Sequence, residues 1–261
     1  MSISPSSDGW SVDDLKRQQS ALAAALTRVF GPERGALRHD LWIVEKCLGL
    51  HAPFHSQSGQ DRFVHEEFFT NRTGGTFVDI GGYDGVTGSN TLFFERSLGW
   101  NGLLVEPASL PFAIASRSRT CACRRVAAGD GTTTAAFIEV LSGYTQMSGL
   151  ETSYDQEMLE VVRRHPEHSE QQVRVEVRTI GELLRDAGIE RIDYVSLDVE
   201  GGERAVLEAF PFESVPVTAW SIENNTGNPD IARFMAGKGY AVTEFIGTDE
   251  IYCAASAWRR T

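Results

Sequence analysis

The stretch FVDIGGYDGVTGSNTLFFERSLGWNGLLVEP, Phe77–Pro107, begins as an apolar strand and breaks into glycines. Asp79, Gly81, Gly82, Asp84 and Gly85 follow one another in and just after that strand, a helical pattern follows near Ser89–Ser97, and a second apolar run stops on Glu106, 27 residues after Asp79. In a doubly wound α/β sheet, ligands bind beyond the carboxyl ends of the strands, where neighbouring connections diverge. A glycine turn at that place lets backbone approach a ligand closely, and the next helix start offers unpaired N–H groups. A carboxylate closing the second strand can accept hydrogen bonds from both hydroxyls of a ribose. Strand, turn, helix, strand and terminal acid in this order point to a nucleoside-bearing cofactor.

Outward from this unit the chain keeps alternating. Strand-like runs fall at Cys121–Ala127, Ala135–Val140, Val173–Val177, Tyr194–Leu197, Val217–Ile222, Tyr240–Phe245 and Ile251–Ala254, with helical patterns at Ile180–Ala187, Gly202–Ala209 and Pro229–Gly237. Strands separated by helices predict βαβ units and a mostly parallel sheet. The last two runs, joined by GTDE, predict a terminal antiparallel hairpin. Before the sheet, Leu15, Leu22, Leu26 and Val29 share one helical face, and a second helical pattern follows Gly35. Residues 1–55 therefore read as an N-terminal helical extension, with a polar, frayed start, and residues 56–261 as the cofactor-binding domain.

Composition narrows the partners. A chain of 261 residues, 41% hydrophobic, can bury one sizeable α/β core. Its formal net charge of −12 is the wrong sign for a nucleic-acid surface or an anionic membrane. The four cysteines, Cys47, Cys121, Cys123 and Cys253, are too scattered for a disulfide framework or a zinc site and read as reduced core thiols. The start MSISPSSDGW lacks signal-peptide order and no apolar run reaches membrane-spanning length, so a cytoplasmic protein is expected. Oligomeric state stays open, a homodimer included.

The turn's own charge separates the candidate cofactors. A dinucleotide site wants G-x-G-x-x-G facing a pyrophosphate; here the third element is missing, and Asp79 and Asp84 would repel phosphates. S-adenosyl-L-methionine, with a sulfonium and an ammonium beside its carboxylate, suits two acids. The competing structural reading is a glycine turn with two helix-capping aspartates and no ligand.

The segments SQSGQDRFV, GTFVDIGGYDGVTGSNTLFFERSLGWNGLLVEP, IDYVSLDVEGGE and SIENN together resemble the FkbM family of S-adenosylmethionine-dependent methyltransferases, over about Ser56 to Ala254. The resemblance implies a class I, Rossmann-like, seven-stranded sheet and O-methylation of a hydroxyl on a secondary metabolite, polyketide or sugar. Position by position it implies that Asp79, Gly81, Gly82 and Asp84 line the methionine part of the cofactor and that Glu106 holds the ribose. It places Ala128 and Asp130 by the adenine, although Asp130 reads equally well as a turn residue before Gly131. Gln60 and Asp61 match a family motif and would close over the cofactor; helix capping is their simpler reading.

The last group lies at the remaining strand ends. Asp198 closes one strand where the methyl group must be, and Glu223 and Asn224 close the next. Catechol-type O-methyltransferases hold a divalent cation with a similar set, and oxygen donors of this kind suit Mg²⁺, Mn²⁺ or Ca²⁺. The metal-free alternative makes Asp198 or Glu200 a general base, with Glu223 and Asn224 binding substrate. Glu203, in the first turn of the next helix, reads as structural. His55 and His65 are base candidates by chemistry alone and read as surface or capping residues. YTQMSGLETSYDQ is expected to form part of a substrate wall, and VVRRHPEHSE a solvated loop. The expected reaction is methyl transfer to a small hydroxylated molecule; a nicotinamide-dependent oxidoreductase and a non-catalytic S-adenosylmethionine-binding module are the alternatives.

Overall fold

The computed structural model describes residues 10–131 and 133–255; most of the polar start falls outside them. The chain opens with α1 (Val12–Leu26), α2 (Pro32–Cys47) and α3 (Gln60–Phe68), then β1 (Thr76–Ile80), α4 (Leu92–Leu98), β2 (Asn101–Val105), α5 (Ser109–Ser118) and β3 (Ala122–Arg124). There follow β4 (Ala127–Ala128), β5 (Thr134–Ser142), β6 (Gly149–Leu150), α6 (Gln156–Arg163) and β7 (Ser169–Arg178). It closes with α7 (Ile180–Ala187), β8 (Ile192–Leu197), α8 (Glu203–Glu208), β9 (Val217–Glu223), α9 (Asp230–Gly237), β10 (Tyr240–Ile246) and β11 (Asp249–Ala254).

Seven strands form the main sheet in the order β10-β11-β9-β8-β1-β2-β3. All pairings are parallel except those of β11, which runs against both β9 and β10. The mostly parallel sheet and its terminal antiparallel hairpin agree with the sequence pattern. Strand alternation buries both faces: Val78, Leu103, Val105 and Val195 enter one core, while Phe77, Leu104 and Tyr194 enter an aromatic core with Phe69, Phe94 and Trp100. From β1 the neighbouring connections diverge, toward β2 on one side and β8 on the other, which opens a crevice at their carboxyl ends.

One expectation fails here. The run at Cys121–Ala127 joins the main sheet only through β3, and the runs at Ala135–Val140 and Val173–Val177 do not extend it. The first breaks after Arg124, and β4 joins β5, β6 and β7 in a second sheet of order β4-β7-β5-β6. β5 and β7 pair antiparallel from Thr134↔Glu176 to Ser142↔Ser169. Their exposed Gln171, Gln172, Arg174 and Glu176 mark a sheet with a solvated face, unlike β8, which is buried along its whole length. Two helices also escaped the pattern. α5 carries Pro111 in its first turn, where a missing N–H costs nothing; α6 is capped by Asp155 and buries Leu159 and Val162, so VVRRHPEHSE begins as helix.

The N-terminal helices dock on the hairpin. Arg34 and Arg38 both reach the buried Glu244 of β10, and Gly247 N–H donates to Gly35 O at 3.0 Å. A Cβ on Gly35 would stand 2.3 Å from Gly247 O, so only glycine permits this approach. All four cysteines are free, but Cys47 is exposed and so is no core thiol.

Candidate functional site

A cavity of about 400 Å³ opens at the carboxyl ends of β1, β2, β8 and β9. Gly81, at φ +80°, makes the turn after β1, and the N–H groups of Gly81 and Gly82 both donate to Val105 O, at 2.9 and 3.1 Å. A Cβ on Gly81 would lie 1.6 Å from Asp198 O, so the β1 turn and the end of β8 touch through backbone alone. Asp79, buried, accepts from Thr91 Oγ1 at 2.6 Å and lies 3.7 Å from Arg119. Burial pushes its carboxyl up, and Arg119 and Thr91 oppose that.

Glu106 ends β2 and lines the cavity, accepting from Tyr83 N–H at 2.9 Å and Ala108 N–H at 2.7 Å. Burial, reinforced by the charges of Asp198 and Asp79, pushes it up to about 7 against those two bonds. Asp198, Glu200 and Glu223 line the cavity from the ends of β8 and β9. Burial pushes Asp198 to about 6, and burial with the neighbouring Asp198 and Glu203 pushes Glu200 to about 9. Glu223 is raised well above the usual carboxylate range by burial and by Asp198 and Glu200, and its Oε2 has no partner.

The other expected residues divide. Gly82, Gln60 and Ala128 line the cavity. Asp61, buried and outside the lining, instead holds the approach to α3, accepting from His55 N–H, Ser56 N–H and Ser56 Oγ. Asp84 accepts from Val86 N–H, Thr87 N–H and Thr87 Oγ1, which closes the turn as a cap and leaves it outside the lining. Asp130 is exposed and does not reach the cavity. Asn224 is not brought into the lining either. Its Nδ2 donates to Asn228 O and Glu250 Oε1, and its Oδ1 accepts from Asn228 N–H. The group beside Asp198 and Glu223 is Glu203, and ligand oxygens of these three lie within 4.8 Å of one another. Glu203 also accepts from Val199 and Gly201 N–H, both at 3.1 Å, and so folds the turn it follows. His55 and His65 lie outside the lining, and burial lowers the pKa of both.

Sequence reasoning missed three contributors, Arg119, Asp249 and Tyr83. Arg119 sits in SRSRT, which looks like a solvated helix end, yet its side chain is fully buried. Asp249 sits in a hairpin turn motif, yet it lines the cavity, accepts from Ser221 Oγ at 3.1 Å, and is pushed up to about 7 by burial and Asp198. The fourth wall comes from the second sheet: Thr145, Gln146, Met147, Ser148, Leu150 and Ser153, within the segment expected as a wall. Tyr83, at φ +48°, ties that wall to the glycine turn through a 2.6 Å contact with Thr145 Oγ1.

A family model described as a methyltransferase FkbM domain matches residues 79–242. No curated protein matches the chain. Among solved structures, the chain is similar to a methyltransferase FkbM from Methylobacillus flagellatus KT, with a TM-score of 0.45 and 13% identity. That likeness covers 92% of this chain and 60% of the other, so the chain spans less than two thirds of it. The family match begins at Asp79 and runs through the glycine turn, Glu106, the second sheet, Asp198 and Glu223 into β10, well over half of the sequence. The protein belongs to the FkbM methyltransferase family.

Proposed function

We propose that the protein transfers the methyl group of S-adenosyl-L-methionine to a hydroxyl of a small molecule. One observation carries the choice of donor. Asp79, Glu106, Asp198, Glu200, Glu223 and Asp249 line the cavity, and among the described residues no lysine or arginine does. Buried carboxylates at this density repel a pyrophosphate and favour a cationic ligand. In this reading the sulfonium and ammonium lie over Asp79 and the Gly81 turn, the ribose hydroxyls donate to Glu106, and the adenine lies by Ala128.

The acceptor oxygen attacks the methyl carbon, the C–S bond breaks with its electron pair staying on sulfur, and the hydroxyl proton passes to a carboxylate at the end of β8. Asp198, pushed up to about 6, has a proton affinity suited to that step near neutral pH. Most of the rate effect comes from holding oxygen and methyl in line. Asp198, Glu203 and Glu223 present only oxygen donors, with one unpartnered Glu223 oxygen, and so fit a divalent cation such as Mg²⁺. Such an ion would acidify a bound hydroxyl and so take over its activation, with Asp198 then a ligand and the general-base role belonging to the metal-free form. No helix among the described residues is long and apolar enough to cross a membrane.

The test is thermal unfolding with S-adenosylhomocysteine or with NAD, because only a ligand of the native state raises the melting temperature. S-adenosylhomocysteine should raise it and NAD should leave it unchanged; the reverse result would overturn the reading. Glu106→Ala should then weaken S-adenosylhomocysteine binding in calorimetry.

A further inference from the structure

One face of α2 lies against an edge of the cavity. Gly35, His39 and Trp42 follow one another at spacings of four and three, which sets them in a row on one side of the helix. Each meets a residue that lines the cavity or adjoins its lining. Gly35 O accepts from Gly247 N–H at 3.0 Å, in the turn that leads into Thr248 and Asp249. His39 Nδ1 lies 2.7 Å from Ser58 Oγ, and a Cβ on Gly59 would stand 2.8 Å from Trp42 Cε3. The two edge segments also touch each other, since a Cβ on Gly247 would come 2.6 Å from Ser58 Oγ. Glycines at 35, 59 and 247 thus let helix and edge close up without a side chain between them, and Ser58, 6% exposed, is held where it lines the cavity.

A donor with an amino-acid end needs something from this edge. S-adenosylmethionine carries a carboxylate remote from its adenine, and the cavity meets it with six acids and, among the described residues, no lysine or arginine. Uncharged donors must hold that carboxylate. In the reading above the adenine lies by Ala128, the ribose at the end of β2 and the sulfonium over β1, so the amino-acid end continues toward β8, β9 and β11. Ser58, Gln60 and Asn90 line the cavity on that side. Two of them are engaged there already. Asn90 Nδ2 donates to Ser196 Oγ at 3.0 Å, while Gln60 accepts from Ser58 N–H at 3.0 Å and donates to Asp249. Ser58 Oγ bonds His39, and a hydroxyl can accept one bond while donating another.

We propose that α2 completes the donor site: His39 is a positioning residue whose Nδ1–H donates to Ser58 Oγ, which turns the Ser58 hydroxyl hydrogen toward the donor's carboxylate. The two bonds run in one direction, so each polarises the next. A helix that precedes the family match at residues 79–242 then takes part in donor recognition. The proposal deepens the methyl-donor reading above and rests on it.

The test is calorimetry on the full chain, well below the melting temperature of each variant, with S-adenosylhomocysteine and with methylthioadenosine, an adenosine thioether that lacks the amino-acid end. The native protein should bind S-adenosylhomocysteine at least about tenfold tighter, the scale of a hydrogen bond to a charged group. His39→Ala should lower the affinity for S-adenosylhomocysteine by about tenfold and leave that for methylthioadenosine almost unchanged. Ser58→Ala should do the same, so a folding defect in the first variant cannot stand in for the result. His39→Asn, whose amide can donate from near the place of Nδ1, should restore most of the loss. A loss shared equally by the two ligands makes His39 a packing residue and overturns the proposal. An unchanged S-adenosylhomocysteine affinity in His39→Ala overturns it as well, as does a loss that His39→Asn fails to restore. Failure of S-adenosylhomocysteine to bind the native protein overturns the methyl-donor reading and the proposal with it, whereas equal affinity of the native protein for the two ligands overturns the proposal alone.

Discussion

Arg119 Nε donates to Glu95 Oε2 at 2.9 Å, with both side chains shut away from water. The same guanidinium donates to Gly85 O at 3.1 Å and Thr91 Oγ1 at 2.9 Å, so one cation fastens the glycine turn to α4 and to the strand that carries Asp79. Removing it strands two buried acids. Arg119→Met should cost about 3–5 kcal/mol of stability, measured by urea unfolding. Arg119→Lys should recover little of that loss, because an ammonium cannot reach all of these acceptors in one geometry. A near-neutral Arg119→Met would mean that the turn is held by packing.

Glu106 predicts a pH dependence of folding. Its carboxyl is raised from 4.5 to about 7, so the native state holds the proton more tightly than the unfolded chain does. The sign follows: its contribution to stability is complete below about pH 4.5 and is lost as pH rises through about 7, up to a ceiling of about 3 kcal/mol. Melting temperatures of the ligand-free protein should fall across that interval. Glu106→Gln should shrink the fall without abolishing it, because Asp249 and Asp198 are raised as well. An unchanged profile in the variant would remove Glu106 as a source.

Gly81→Ala tests the backbone contact between β1 and β8. The added methyl would have to enter the space of Asp198 O, at a φ that disfavours any side chain. The two strand ends must separate to admit it. Stability should fall by several kcal/mol, on the order of 2–5, and S-adenosylhomocysteine should no longer shift the melting temperature. Gly99→Ala, also at positive φ but with open space around it, should cost only about 1 kcal/mol.

Tyr83→Phe isolates the link between the glycine turn and the second sheet. Only the 2.6 Å contact with Thr145 Oγ1 is lost, so overall stability should change by about 1 kcal/mol. Amide exchange around residues 144–148 should speed up several-fold while β1 and β8 stay protected. Uniform exchange in both proteins would show that Tyr83 does not restrain the wall.

Long periodic segments were legible because one force dominates each of them. β1, β2, β8 and β9 are buried on both faces and read as unbroken apolar runs, and α7, which the structure closes with a capping box between Thr179 and Glu182, has a strong helical pattern at Ile180–Ala187. The second sheet was legible as strands but not as a separate sheet, since pairing partners are set by the end of the strand at Arg124, which leaves no composition signal. In the site, the residues at strand ends were legible, because a strand's last residue faces the crevice whatever the loops do. Asn224 lies outside the lining because Asn228 and Glu250 engage it, and Asp130 is exposed beyond β4; turn contacts of this kind are not encoded in a strand pattern. Arg119 and Asp249 were invisible for a different reason: their burial depends on elements far apart in the chain, and each sits among residues that look solvated.

The pocket has two owners. The floor, with Gly81, Glu106 and Asp198, belongs to the seven-stranded sheet, and the wall from Thr145 to Ser153 belongs to a sheet that shares no strand with it. In the proposed reading the donor's sulfonium and ribose rest on the floor, and the wall between β5 and β6 faces the acceptor, so exchanging that one β-hairpin would redraw the wall while Gly81, Glu106 and Asp198 keep their places.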